Sequence, residues 1–117
     1  MIISDVVTRL LYLLMQVRIF HWQTTSFAQH EAFGKFYDSV NALLDEFVEA
    51  FQGRYERIMY NDSIVLKNMD EVDVNVTLDR VVDILVNEMD LDDTDLLNIR
   101  DEILGAVNKL KYLLTLQ

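Results

Sequence analysis

The sequence predicts an all-α fold, and three observations point there. Its 117 residues contain no proline and only three glycines, so little in the chain breaks a helix. Apolar residues recur at alternating steps of three and four over long stretches, the period of a helix with one buried face. Helix-capping residues also stand where those stretches begin.

The first stretch is residues 3–22, where Ile3, Val7, Leu10, Leu14, Val17 and His21 form a seam that Val6, Leu13 and Phe20 widen. His21 therefore continues an apolar face. Ser26 followed by Gln29 fits a capping box and opens a second helix, expected from about Phe27 to about Ile58. Its stripe is Phe33, Phe36, Tyr37, Val40, Leu44, Phe47 and Phe51, with Gly53 as a place for a kink or an early end. Residues 60–76 lose the helical period. Asn61, Asp62 and Ser63 are turn formers, and Val72, Val74 and Val76 alternate with polar residues, which predicts an extended crossover. Thr77 is then expected to cap a short third helix carried by Leu78, Val81, Val82, Leu85 and Met89. Asp93 is expected to cap a fourth, which presents Leu96, Ile99, Ile103, Val107, Leu110 and Leu114. Four helices in one domain, residues 1–117, are most simply arranged as a four-helix bundle. The apolar share of 51% is high for so short a chain and suggests a further apolar surface buried between subunits.

Composition narrows the function. The formal net charge is −10, from 20 acidic and 10 basic residues, with no basic cluster to grip a phosphate backbone. This argues against direct nucleic-acid binding. Cysteine is absent, which removes disulfides, thiolate metal sites and thiol chemistry. No apolar run reaches the roughly 20 residues that span a bilayer. The opening "MIISDVVTRLLYLLMQV" lacks a basic n-region and a small-residue cleavage site, so a cytoplasmic location without a signal peptide is the expectation.

The residues that can carry chemistry are few. The two histidines, His21 and His30, flank the corner between the first two helices in "FHWQTTSFAQHEAF". On the side of the second helix away from its phenylalanines lie Gly34, Asp38, Asp45 and Glu49. Asp45 and Glu49 are four apart, so their carboxylates stand one turn apart on one face and can present two oxygens to one cation. Read separately, such acids are more often a solvated face, and a histidine on an apolar stripe is more often a core residue. Distance adds a constraint. His30 and Asp45 are 15 residues apart, roughly 22 Å along a straight helix. No ion bridges that gap. The two halves meet only if the second helices of two copies pack antiparallel about an axis near position 38, an isologous homodimer with two equivalent sites. Gly34 and Ala42 are small enough to permit close approach.

With these residues in view, the chain resembles the Dps family, the miniferritins of the ferritin-like superfamily. The resemblance rests on His21 followed by Trp22, on His30, and on Asp45 and Glu49 at the family's interval after that second histidine. A second signature is "DDTDLLNIRDEILGAVNKLKYLLTL", with Tyr112 where the family has a closing tryptophan. The resemblance implies a ferritin-like bundle, higher oligomers, and an intersubunit ferroxidase centre that oxidises iron. Its metal ligands here would be His21 and His30 of one subunit with Asp45 and Glu49 of another. Gly34 stands where the family has an acid, the corner is three residues shorter, the third helix is about half the usual length, and no basic N-terminal run serves DNA. Mixed nitrogen and oxygen ligation suits iron, zinc or manganese alike. The rival expectations are a non-catalytic ferritin-like dimer serving as a protein-interaction or structural module, and a monomeric four-helix adaptor.

Overall fold

The computed structural model describes residues 2–116, and these form four α-helices with no strand among them. The helices are α1 (Ile3–Gln23), α2 (Phe27–Arg54), α3 (Val74–Asp83) and α4 (Thr94–Leu113). The molecule measures 43 × 27 × 22 Å. Its long axis matches α2, whose 28 residues at about 1.5 Å each extend about 42 Å.

The heptad-like seams form the core as the sequence predicts. Val7, Leu10, Leu14, Val17 and Phe20 of α1 are buried against Phe33, Phe36, Val40, Leu44, Phe47 and Phe51 of α2. Leu96, Ile99, Ile103, Val107 and Leu110 of α4 complete the same cluster. At the N-terminus of α2, Ser26 Oγ accepts from Gln29 N at 3.3 Å, the expected cap.

Two element boundaries differ from expectation. Helix α2 ends at Arg54, short of Ile58. Beyond it, Gln52 Oε1 accepts from Ile58 N at 3.0 Å, so the chain turns and still delivers Ile58 to the core. The early end, beside Gly53 as the sequence allows, places Arg54 in the last turn and Tyr55 at the cap, where they reach Asp93 and Asp95 at the start of α4. The second difference is α3, which begins at Val74, not after Thr77. Asp73 caps it, accepting from Asn75 N at 2.8 Å and Val76 N at 3.3 Å, while the Thr77 hydroxyl donates to Asp73 O. The alternating valines favour a strand only where a neighbouring strand exists, and none does here. The local cap therefore decides the backbone.

At the other end of α3, Ile84–Glu88 widen into a π-turn. The extra residue lets Ile84, Leu85 and Met89 all face the core. Asp93 precedes α4 as expected, but its carboxylate makes no cap hydrogen bond. It is taken by the Tyr55 hydroxyl and Arg54 instead.

The order of these contacts gives the topology. The C-terminus of α2 meets the N-terminus of α4 through Arg54. The crossover after α2 then returns along the molecule and is fastened to the C-terminal half of α1. Consequently α3 runs in the direction of α2, its far end reaching the first turns of α1 beside Asp5 and Arg9. Helix α4 runs back, and Lys111 near its end pairs with Asp79 of α3. One long crossover thus joins two antiparallel helix pairs.

Two glutamines fasten that crossover. Gln16, fully buried on the α1 seam, donates from Nε2 to Lys67 O at 2.7 Å and accepts at Oε1 from Lys67 N at 3.0 Å. Its amide replaces the strand partner that Lys67 lacks. Two turns later Gln23 repeats the device, accepting from Met69 N at 2.8 Å and donating to Asn68 Oδ1 at 2.9 Å. The 3₁₀ turn Met69–Glu71 follows, with Glu71 Oε1 accepting from Asn68 N at 2.8 Å and Asn68 O accepting from Glu71 N at 3.0 Å.

Replacing Gln16 with alanine strips both backbone partners from Lys67, and we expect a loss of about 1–3 kcal/mol. Chemical denaturation measures it, with faster amide exchange at Lys67 as the local sign. Gly105→Ala should act oppositely. The site is exposed within α4 and an added methyl meets nothing within 4 Å, so a gain of up to about 1 kcal/mol is expected.

Candidate metal-ligand residues

The corner between α1 and α2 brings the two histidines together. Their rings stack with centroids 3.9 Å apart and an interplanar angle of 14°. Each ring is also hydrogen-bonded to the backbone of the other. His21 Nδ1 donates to His30 O at 2.7 Å, and His30 Nδ1 donates to His21 O at 2.8 Å. A carbonyl oxygen can only accept, so both rings carry their proton on Nδ1. Each Nε2 then keeps a lone pair. Neither Nε2 has a hydrogen-bond partner, and because no fully buried side-chain polar atom among the described residues lacks one, neither is completely buried.

Local packing explains the arrangement. Phe20 and Phe33 lie in the core with centroids 5.8 Å apart, fixing the approach of the two helices at the corner. Thr24 and Gln29 side chains bond across the turn at 2.7 Å. His21 then lies against Gly34. A β-carbon at position 34 would stand 3.0 Å from His21 Cε1 and 3.3 Å from its Nδ1. The glycine is needed for side-chain space. Gly34 thus faces α1 and is half-buried, whereas the sequence places it on the outer face of α2 with Asp38.

The outer face of α2 is otherwise as expected: Asp38, Ala42, Asp45 and Glu49 are exposed. Glu49 has its pKa raised, first by its hydrogen bond to Asp45 and then by repulsion from that carboxylate. The two acids are therefore crowded. Within one chain they remain apart from the histidines. No cluster of three or more His, Asp or Glu able to hold an ion forms among the described residues.

Sequence reasoning missed the cation beside this corner. Arg18 packs its guanidinium 4.3 Å from the Tyr37 ring centroid and 5.5 Å from that of Trp22. The signal was available, because Arg18 and Trp22 are one turn apart on α1. Trp22 and Phe27 remain largely exposed, at 67% and 75%. Gln16 was missed as well, although a polar side chain inside an apolar seam marks a buried hydrogen-bonding duty.

The acid pair has a definite pH dependence. A raised folded-state pKa means that the Asp45–Glu49 contact stabilises the fold below the ordinary glutamate range. That contribution is lost as pH rises through the raised value. In a carboxyl NMR titration, Glu49 should show a midpoint above an ordinary glutamate, and Asp45→Ala, which removes both the hydrogen bond and the charge, should remove most of the upward shift.

Neither a curated protein nor a solved structure matches the chain. A family model does, over residues 21–114, a span that begins at His21 and includes His30, Gly34, Asp45 and Glu49. The chain therefore belongs to the group described as Family of unknown function (DUF5856).

Proposed function

We propose that this protein is a shortened, ferritin-like four-helix bundle that binds a divalent transition-metal ion at a two-fold interface between copies. His21 and His30 supply imidazole nitrogens, and Asp45 and Glu49 of the partner copy supply carboxylate oxygens. The observation that carries this reading is the reciprocal histidine pair. A metal-binding histidine is commonly oriented by giving its other N–H to a backbone carbonyl, which fixes the tautomer and raises the basicity of the ligating nitrogen. Both rings have that arrangement here, with Nε2 free of any hydrogen bond.

Two further observations support it. Ferritin-like folds use one long crossover among four helices, and the chain has that connectivity. The crowded Asp45 and Glu49 carboxylates repel when both are charged, and a bound dication relieves that repulsion. Iron, zinc and manganese are all compatible with such ligands. Oxidation of iron is what the Dps resemblance adds, and Gly34, standing where that family has an acid, removes one ligand from that chemistry. A cytoplasmic setting accords with the lack of cysteine; among the described residues, no helix is long and apolar enough to cross a membrane.

A second reading has its own support. The same hydrogen bonds close the corner without any ion, so the histidines can act as a purely structural clasp in a protein-interaction module. Light scattering and calorimetric titration with Zn(II), and anaerobically with Fe(II), separate the two. The metal reading expects a dimer or higher oligomer with saturable binding, at least tenfold weaker in both Asp45→Ala and His30→Ala. A monomer that binds no ion supports the clasp.

A further inference from the structure

We infer that the groove between the start of α1, the crossover and the end of α3 binds a small zwitterion, a free amino acid or a dipeptide, through its ammonium and carboxylate groups. This site is remote from the histidine corner and independent of the metal reading. Asp5 and His21 are 16 residues apart, roughly 24 Å along α1.

The groove holds about 780 Å³, within the range of roughly 300–1,000 Å³ typical of small-molecule sites. Val6 of α1 and Ile84 at the start of the π-turn are both buried and give it an apolar floor. Turns of the π type occur disproportionately at functional sites.

The charges around that floor are mispaired. Asp5, in the first turn of α1, shares a hydrogen bond with Asp62 of the crossover, and this contact is the leading cause of a raised Asp5 pKa. Arg9 stands one turn further along α1, near enough for its charge to oppose that rise. Yet neither Arg9 nor Lys67, which also lines the groove, forms an ion pair with any of the described residues. Two carboxylates thus crowd each other while two cations in the same groove go without one. Arg80 does not relieve them, because Glu88 takes its guanidinium at 2.9 Å and Asp83 takes it as well. Such local conflict is a mark of functional sites.

A zwitterion resolves the conflict. Asp5 and Arg9 are four residues apart on α1, a spacing of about 5–6 Å between β-carbons, which suits the short separation of ammonium and carboxylate in one amino acid. An ammonium between Asp5 and Asp62 offsets their repulsion. The carboxylate pairs with the Arg9 guanidinium, whose fork matches its two oxygens. Lys67 approaches from the crossover, its backbone fixed by Gln16. A simple cation satisfies only the acids, and a simple anion only the bases. The apolar floor favours a ligand with an aliphatic side chain.

The test is an amide NMR titration of the full-length protein with L-leucine and with leucyl-leucine. We expect saturable shifts centred on Arg9, Asp62 and Lys67, with a Kd on the order of 1 mM or tighter for at least one of the two; the tighter ligand gives the size class. Its N-acetylated form, lacking the ammonium, and its C-terminal amide, lacking the carboxylate, should each bind at least tenfold more weakly. Arg9→Met and Asp62→Asn change exposed side chains, so both variants should fold, and each should weaken binding at least tenfold. Lys109→Met, an exposed site on α4 away from the groove, is the control and should leave binding unchanged. No saturable shift with either ligand up to about 20 mM, blocked forms that bind as well as the parent, or binding indifferent to both groove substitutions would overturn the inference. None of these outcomes bears on metal binding at the other end of α1.

Discussion

The architecture depends on how a long irregular segment is kept from being an energetic burden. After α2 the chain must travel back along the molecule before α3 can begin, and it does so without a partner strand. Each backbone N–H and C=O that leaves water on that path needs a replacement partner. Gln16 and Gln23 supply these where the crossover meets α1. A buried amide is costly unless both its ends are bonded, and Gln16 has both ends bonded to the same residue, Lys67. This fixes the position of the crossover along α1, and with it the direction of α3 and the course of α4.

The corner between α1 and α2 works by a related exchange of backbone and side-chain groups. Three residues separate the two helices, too few for a loop with internal structure. The last carbonyls of α1 and the first turns of α2 would otherwise rely on water. The His30 ring takes over part of that role by donating to His21 O in the last turn of α1, the His21 ring returns a bond to His30 O, and the two rings stack. Gly34 completes the set by leaving the ring room. The same bonds close the corner without any ion, which is why oligomeric state and ion binding are the informative measurements.

The acidic character is unevenly used. At the end of the molecule where α2 meets α4, Asp93 and Asp95 are paired with Arg54, and Asp93 also receives the Tyr55 hydroxyl. On the outer face of α2, Asp45 and Glu49 have each other as neighbours and no cation beside them. Exposed ion pairs of the first kind contribute modestly, typically below about 1 kcal/mol each. The crowded pair instead stands exposed to solvent on the outer face of the helix.

The apolar period by itself determined that α1, α2 and α4 exist and which faces they bury. Burial drives that period, and it leaves a linear record. The Ser26 cap, the break before Thr94 and the four-residue spacing of Asp45 and Glu49 were legible for the same local reason. Tertiary structure alone decided the rest. The start of α3 at Val74 turned on the Asp73 cap and the absence of a strand partner. The choice between the two ends the sequence allows for α2, beside Gly53 or near Ile58, fell to the first, where Arg54 and Tyr55 meet α4. The role of Gly34 turned on the ring packed against it from another helix. These are contacts between residues distant in sequence, or choices among local conformations of similar energy. A one-dimensional pattern does not carry their outcome until the helices are in place.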